Sequence, residues 1–209
     1  MCFDVGANMG SKAETFLELG AKVVCIEPQE RCLKALKTLF RKNGDAIIIG
    51  KAVGEREGYG QLAICEDEHT ISTMSNKWKS EGRFSKDYKW TRMQQVHITT
   101  LDALIQSYGV PVFCKIDVEG FEVQVLKGLT RPIPFISFEF TMEFIEDSKR
   151  CIEHLLSIGR VRFNCSIGES MEFLFQDWVS PDTLYERIGL SEDKFLWGDI
   201  YAKFVWGMD

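Results

Sequence analysis

Apolar residues fall along this chain in two alternating rhythms. Mostly apolar runs at residues 2–5, 21–26, 46–49, 112–117 and 134–140 read as short strands largely buried on both faces. Between them, apolar residues recur three and four apart, as on one face of a helix. After the first run, Ser11-Lys12-Ala13-Glu14 reads as a capping box: Ser11 accepts from a free helix amide and Glu14 reaches back. That helix carries Ala13, Phe16 and Leu17 on one face and stops near Gly20. Pro28 opens a second helix, with Leu33, Leu36, Leu39 and Phe40 on one stripe and an end at Asn43-Gly44. Thr100 caps a third over residues 101–108, a fourth spans 119–129, and a long amphipathic helix covers 142–158. Further strands are expected at 160–165 and 200–206. This alternation implies a mainly parallel sheet with helices on both faces. The rhythm changes after the third strand: residues 53–65, with Gly54, Gly58 and Gly60, read as a hairpin or an irregular β segment, and 77–92 as a loop.

The length of 209 residues fits one domain, here 1–209, with a hairpin and lid insertion at about 53–96. Hydrophobic residues make up 45% and charged residues 27%, an ordinary globular balance. No apolar run approaches the roughly 18 residues of a membrane helix. The opening MCFDVGANMG carries Asp4 and Asn8 where a signal peptide would be apolar, so a cytoplasmic protein is expected. Seven cysteines, an odd number without a CxxC pair, suggest neither a disulfide framework nor a zinc site. Cys25 and Cys114 sit inside apolar runs and read as buried thiols. A net charge of −6 argues against a large nucleic-acid footprint.

In open parallel sheets, ligands lie beyond the carboxyl ends of the strands. The segment Asp4-Val5-Gly6-Ala7-Asn8-Met9-Gly10 leaves the first strand there. Gly6 would let backbone pass close to a ligand, and Gly10 would allow the tight turn into the helix. The spacing is G-x-x-x-G, not the denser G-x-G-x-x-G cradle of a pyrophosphate, and Asp4 would repel phosphate. A cationic ligand such as S-adenosylmethionine suits the loop better than NAD. The second segment is Cys25-Ile26-Glu27-Pro28, where Glu27 at the strand end can accept from both ribose hydroxyls.

The stretch FDVGANMGSKAETFLELGAKVVCIEPQ resembles the nucleotide-binding start of class I methyltransferases. With TTLDAL at 99–104, KIDVEGFEVQVLKGL at 115–129 and GDIYAK at 198–203, the chain looks more narrowly like the FkbM family. That resemblance implies a Rossmann-like seven-stranded sheet with the last strand antiparallel. It also implies S-adenosyl-L-methionine as donor, with S-adenosyl-L-homocysteine as product, and hydroxyls of saccharides or other small metabolites as acceptors. By the same resemblance Asp4, Gly6, Asn8 and Gly10 line the methionine end and Glu27 holds the ribose, with Pro28 beside it counted among the cofactor-binding residues. The chain departs from the family in opening directly at the first strand and in its insertion, which carries no recognisable acceptor code.

Lys115-Ile116-Asp117-Val118-Glu119-Gly120-Phe121-Glu122 packs four charged groups around one strand end. Glu119 and Glu122, three apart, are expected on one face of the first helical turn. Methyl transfer to an alcohol needs positioning, desolvation and removal of a proton. Asp117 is the first candidate base and Glu119 the second, with Lys115 pairing either carboxylate or holding an anionic acceptor. His97 is a further candidate base. His69, beside Thr70, Ser72 and Thr73, could border the cofactor, whereas His154 on the long helix reads as solvated. Asp117, Glu119 and Glu139 could converge, but no metal-ligand spacing is present and no metal is expected. Residues 77–92 hold Lys77, Lys79, Arg83, Lys86, Lys89 and Arg92 against Glu81 and Asp87, with Trp78, Phe84, Tyr88 and Trp90 between them. This segment reads as an acceptor lid that stacks on a sugar or grips a phosphate. An RNA methyltransferase and a non-catalytic cofactor-binding subunit are the alternatives to a small-molecule enzyme.

Overall fold

The computed structural model describes residues 1–206. In chain order the elements are β1 (Cys2–Val5), α1 (Ser11–Glu18), β2 (Val23–Ile26), α2 (Glu30–Leu39), β3 (Ala46–Ile49), β4 (Ala52–Val53) and β5 (Gly58–Ile64). There follow α3 (Asn76–Glu81), β6 (Arg92–Thr99), α4 (Leu101–Tyr108), β7 (Phe113–Ile116), α5 (Glu122–Lys127) and β8 (Phe135–Thr141). The last are α6 (Ile145–Ile158), β9 (Val161–Ile167), α7 (Pro181–Gly189) and β10 (Trp197–Phe204). Seven strands form the main sheet in the order β3-β2-β1-β7-β8-β10-β9. The pairs from β3 to β8 are parallel, and β10 runs antiparallel to both β8 and β9. The last strand is therefore antiparallel, as the family resemblance implies.

Side chains on a strand alternate between faces, and β2 shows what that does. Val23 and Cys25 face Ala13 of α1 and Leu36 of α2 in one apolar cluster. Val24 and Ile26 face the other way, into the larger core built with α4, α5 and α6. The run at β2 is apolar throughout because both of its faces are covered. Cys25 and Cys114 are buried free thiols.

Several local expectations are corrected. Ser11 is the first helical residue rather than a cap; the capping position is Gly10, in the left-handed conformation, with no side-chain hydrogen bond. No capping box forms. The inward stripe of α2 is Cys32, Leu36 and Phe40, while Leu39 is exposed. Residues 53–65 are not a self-contained hairpin: β5 pairs antiparallel with β6, and β4 pairs with β6 in parallel. The pattern hides β6 because Gln94 faces inward and Met93 outward, the reverse of their polarity. Helix α5 starts at Glu122, so Glu119 precedes it. Helix α7, capped by Ser180 and anchored by Leu184 and Ile188, was not expected from the periodicity.

Candidate active site

At the carboxyl ends of β1, β2 and β7, three loops are laced together by backbone. The N–H groups of Gly6 and Ala7 donate to the Ile26 carbonyl at 2.9 and 3.2 Å, and that of Asp117 donates to the Val5 carbonyl at 3.0 Å. Gly6 has φ of 83°. A side chain there would run into the carbonyl of Asp117, whose carbon would lie 2.9 Å from the added atom. Gly6 thus permits the close approach of two protein loops, and it also borders two of the cavities below. Gly10 is similar: an added carbon would meet Leu36 at 2.9 Å, and Gly10 lines none of the cavities below, contrary to the family-based expectation.

Three adjoining cavities open here. The innermost is a slot of about 60 Å³, walled by Ile26, Pro28, Val53, Leu62, Met74 and Phe121, with Glu27 at its polar end. It has room for roughly four to six water-sized groups. Glu27 is 6% exposed. Its Oε2 accepts the Asn8 N–H at 2.8 Å and its Oε1 the Gln29 N–H at 2.7 Å. Burial pushes this carboxyl up to about 7, against the pull of those two amides. Each oxygen keeps a second acceptor site for a ligand hydroxyl.

The second cavity, about 360 Å³, is bordered by Asp4, Asn8, Lys12, Lys115, Asp117 and Glu119, among others. Asp4 is 1% exposed, and neither carboxylate oxygen has a hydrogen-bond partner. Burial raises it to about 6; Lys115 opposes that rise and Asp117 adds to it. A buried, unpartnered carboxylate is costly unless a cation meets it. Gly6, Asn8, His69, Thr70, Asp117 and Glu119 border both the slot and this cavity, so Glu27 and Asp4 serve one continuous mouth.

The third cavity, about 410 Å³, joins Asp117, Glu119, Glu139 and Glu169 to Trp78, Phe84 and Trp197. Asp117 accepts from Lys115 Nζ at 2.7 Å, and the lysine is buried. Burial works against the lysine's charge, but Asp117 and Asp4 outweigh it and its pKa rises. Glu119 adopts a left-handed conformation with φ of 55°, which costs an ordinary residue about 1–2 kcal/mol. Its carbonyl accepts from Thr73 Oγ1 at 2.7 Å. Glu119 and Glu139 both sit well above the usual carboxylate range, through burial first and then neighbouring carboxylates. Asp117, Glu119 and Glu139 bring carboxylate oxygens within 4.8 Å of one another, a grouping that could hold a cation. Glu122 is separate: its Oε1 accepts the N–H groups of Val118 and Gly120 at 3.2 Å each, clamping the loop. It does not share a helical face with Glu119.

The basic segment is anchored rather than loose. Ser75 caps α3 by accepting from the Trp78 N–H, and Trp78 is 2% exposed. Arg83 makes a two-pronged pair with Glu143 at 2.7 and 2.6 Å, Lys77 pairs with Asp147, and Arg92 with Glu66. Arg83 is thereby occupied and does not offer a phosphate grip. His97 lies on the exposed face of β6 against Tyr59, with ring centres 4.4 Å apart, and lines none of the three cavities. His69 borders the slot and the mouth. His154 is half-buried, its Nε2 2.9 Å from the Leu129 carbonyl oxygen, rather than solvated. Sequence reasoning missed Gln29, Glu169 and Trp197; the last two lie far along the chain without a local motif.

A family model described as the methyltransferase FkbM domain matches residues 4–176. Among solved structures, precorrin-6y C5,15-methyltransferase from Geobacter metallireducens is 12% identical with a TM-score of 0.45, over 97% of this chain and 78% of that one. Aeropyrum pernix fibrillarin with natively bound S-adenosyl-L-methionine is 13% identical with a TM-score of 0.44, over 96% of this chain and 65% of that one. The plantazolicin methyltransferase BpumL in complex with SAH is 11% identical with a TM-score of 0.38, over 98% and 76%. No curated protein matches the chain.

Proposed function

The chain belongs to the FkbM methyltransferase family, and on that premise we propose that it methylates a hydroxyl of a saccharide or other small metabolite with S-adenosylmethionine. The residues present fit this cofactor. Asp4 supplies the unpartnered carboxylate that an ammonium needs, Glu27 has acceptor sites left for two ribose hydroxyls, and the slot has apolar walls for a purine. When bound, the cofactor supplies an activated methyl on a sulfonium, which is already a good leaving group.

What remains for the protein is to place an acceptor oxygen in line, exclude water and take a proton. The observation that carries this reading is the position of Asp117, which borders all three cavities. Lys115 holds its Oδ2 and leaves Oδ1 to receive the hydroxyl proton. Glu119 and Glu139, raised by burial, can donate hydrogen bonds to neighbouring acceptor oxygens. Trp78, Phe84 and Trp197 give the apolar walls on which a sugar ring stacks. The RNA reading loses its main support, because three of the segment's six cations are already paired with protein carboxylates.

The test is a screen with donor labelled in the methyl group, against saccharide, metabolite and RNA pools. The proposal expects label on a small molecule as a base-stable methyl ether. Label confined to RNA, to a base-labile ester, or to nothing would contradict it.

A further inference from the structure

The opposite end of the sheet holds a second opening, a groove of about 840 Å³ where β8 and β9 begin and β10 ends. Across three strands the register sets Phe135, Lys203 and Arg162 in one row. Lys203 and Arg162 are direct cross-strand partners, and like charges so placed repel each other. Among the described residues no carboxylate forms an ion pair with either of them. That is notable in a chain of net charge −6. The Lys203 ammonium lies 5.8 Å from the centre of the Trp178 ring, which also contacts Phe135 at 5.9 Å. Trp206, 63% exposed, stands on the same groove.

We propose that this groove binds a nucleoside phosphate. A phosphate bridging Arg162 and Lys203 removes their repulsion through charge-assisted bonds, and a base lies against Trp178 and Trp206. The volume falls within the usual 300–1,000 Å³ range of small-molecule sites. Arg162 and Lys203, with Arg160 beside them on the groove, form one compact cluster that matches a small anion; a polymer would need a longer basic track. The methyl-transfer mouth cannot take this ligand, because Asp4 and Glu27 repel phosphate. The inference stands independently of the acceptor assignment.

The experiment is calorimetric titration of ADP into the full chain, with S-adenosylhomocysteine held in excess. Adenosine, inorganic phosphate and a ten-residue oligothymidylate serve as separate arms. The groove predicts saturable one-to-one binding of ADP, with adenosine and phosphate each at least about tenfold weaker, since each loses one half of the contact. Arg162→Ala and Lys203→Ala should each weaken ADP about tenfold and leave S-adenosylhomocysteine affinity unchanged. Both positions lie on the sheet surface, and removing one of two opposed cations should not lower the melting temperature. Absence of saturable ADP binding, ADP affinity in both variants equal to the parent's, or tighter binding of the oligonucleotide than of ADP would overturn the proposal.

Discussion

The Oε2 atom of Glu27 accepts the backbone N–H of Asn8 at 2.8 Å, and this bond ties the end of β2 to the loop leaving β1. With the Gln29 N–H on its other oxygen, the carboxylate is fixed before any ligand arrives. Such preorganisation spares a ligand the cost of ordering the group.

Glu27→Gln should therefore weaken S-adenosylhomocysteine by at least about tenfold. The amide NH₂ of glutamine must face one of the two backbone donors, so one of those bonds is lost along with the charge. Calorimetry reads the effect directly. Unchanged affinity would place the ribose elsewhere.

Acidity of the mouth gives a pH dependence. Asp4 rises to about 6 and Glu27 to about 7, mainly through burial. Both folded values exceed those of an unfolded chain, near 4. The stability they contribute is full below about pH 4 and is lost as pH rises through 6 and 7. The ligand-free protein should accordingly melt at a lower temperature at pH 8 than at pH 5.5. Ligand affinity runs the other way, because the ammonium and ribose need ionised carboxylates. The S-adenosylhomocysteine Kd should rise below pH 7, by up to roughly tenfold per pH unit for each proton released. Titrations in two buffers of different ionisation enthalpy would count those protons.

Asp117→Asn keeps an oxygen for Lys115 and removes the base. Cofactor affinity should stay within about threefold, while turnover falls by roughly 10²–10⁴, the range for loss of a general base. Turnover equal to the parent's would remove Asp117 from that role.

Trp78 and Phe84 border the third cavity and neither the slot nor the second cavity. Phe84→Ala should leave S-adenosylhomocysteine binding intact and raise the acceptor KM. Deletion of 79–89 should abolish turnover, although it also removes the Arg83–Glu143 pair and lowers stability. A point variant that weakens cofactor instead would contradict this division.

Glu119 holds a left-handed backbone, and if its side chain is what the site needs, the strain should be separable from stability. Glu119→Gly relieves the left-handed conformation and thins the carboxylate cluster, while the bond from Thr73 to the main-chain carbonyl survives. The melting temperature should hold or rise as turnover falls. A marked loss of stability would assign Glu119 a structural task.

Much of the fold was legible because β1, β2, β7 and β8 are covered on both faces and so read as mostly apolar runs. Glu27, Asp4 and Asp117 were legible because topology brings strand ends together whatever the intervening chain. Elements whose polarity is decided by distant partners were not legible. Gln94 turns inward because its side chain accepts from the Glu30 N–H at 3.3 Å and donates to the Pro28 carbonyl at 2.7 Å, serving the turn before α2. No pattern local to residues 92–99 encodes that. Ser11 had the right neighbours for a cap, but the left-handed Gly10 before it takes the capping position. His97 had suitable chemistry, yet strand parity on β6 sends it to the outer face.

Asp4 and Glu27 are proposed to form one acidic seat for a cationic sulfur nucleoside. Its most direct test is a pair of titrations at pH 7.5, S-adenosylmethionine in one and NAD in the other, on the parent chain and on Asp4→Asn. The seat predicts stoichiometric S-adenosylmethionine binding to the parent, at least tenfold weaker binding to Asp4→Asn, and no heat from NAD. Binding of NAD by the parent, or indifference of S-adenosylmethionine to the loss of Asp4, would contradict it.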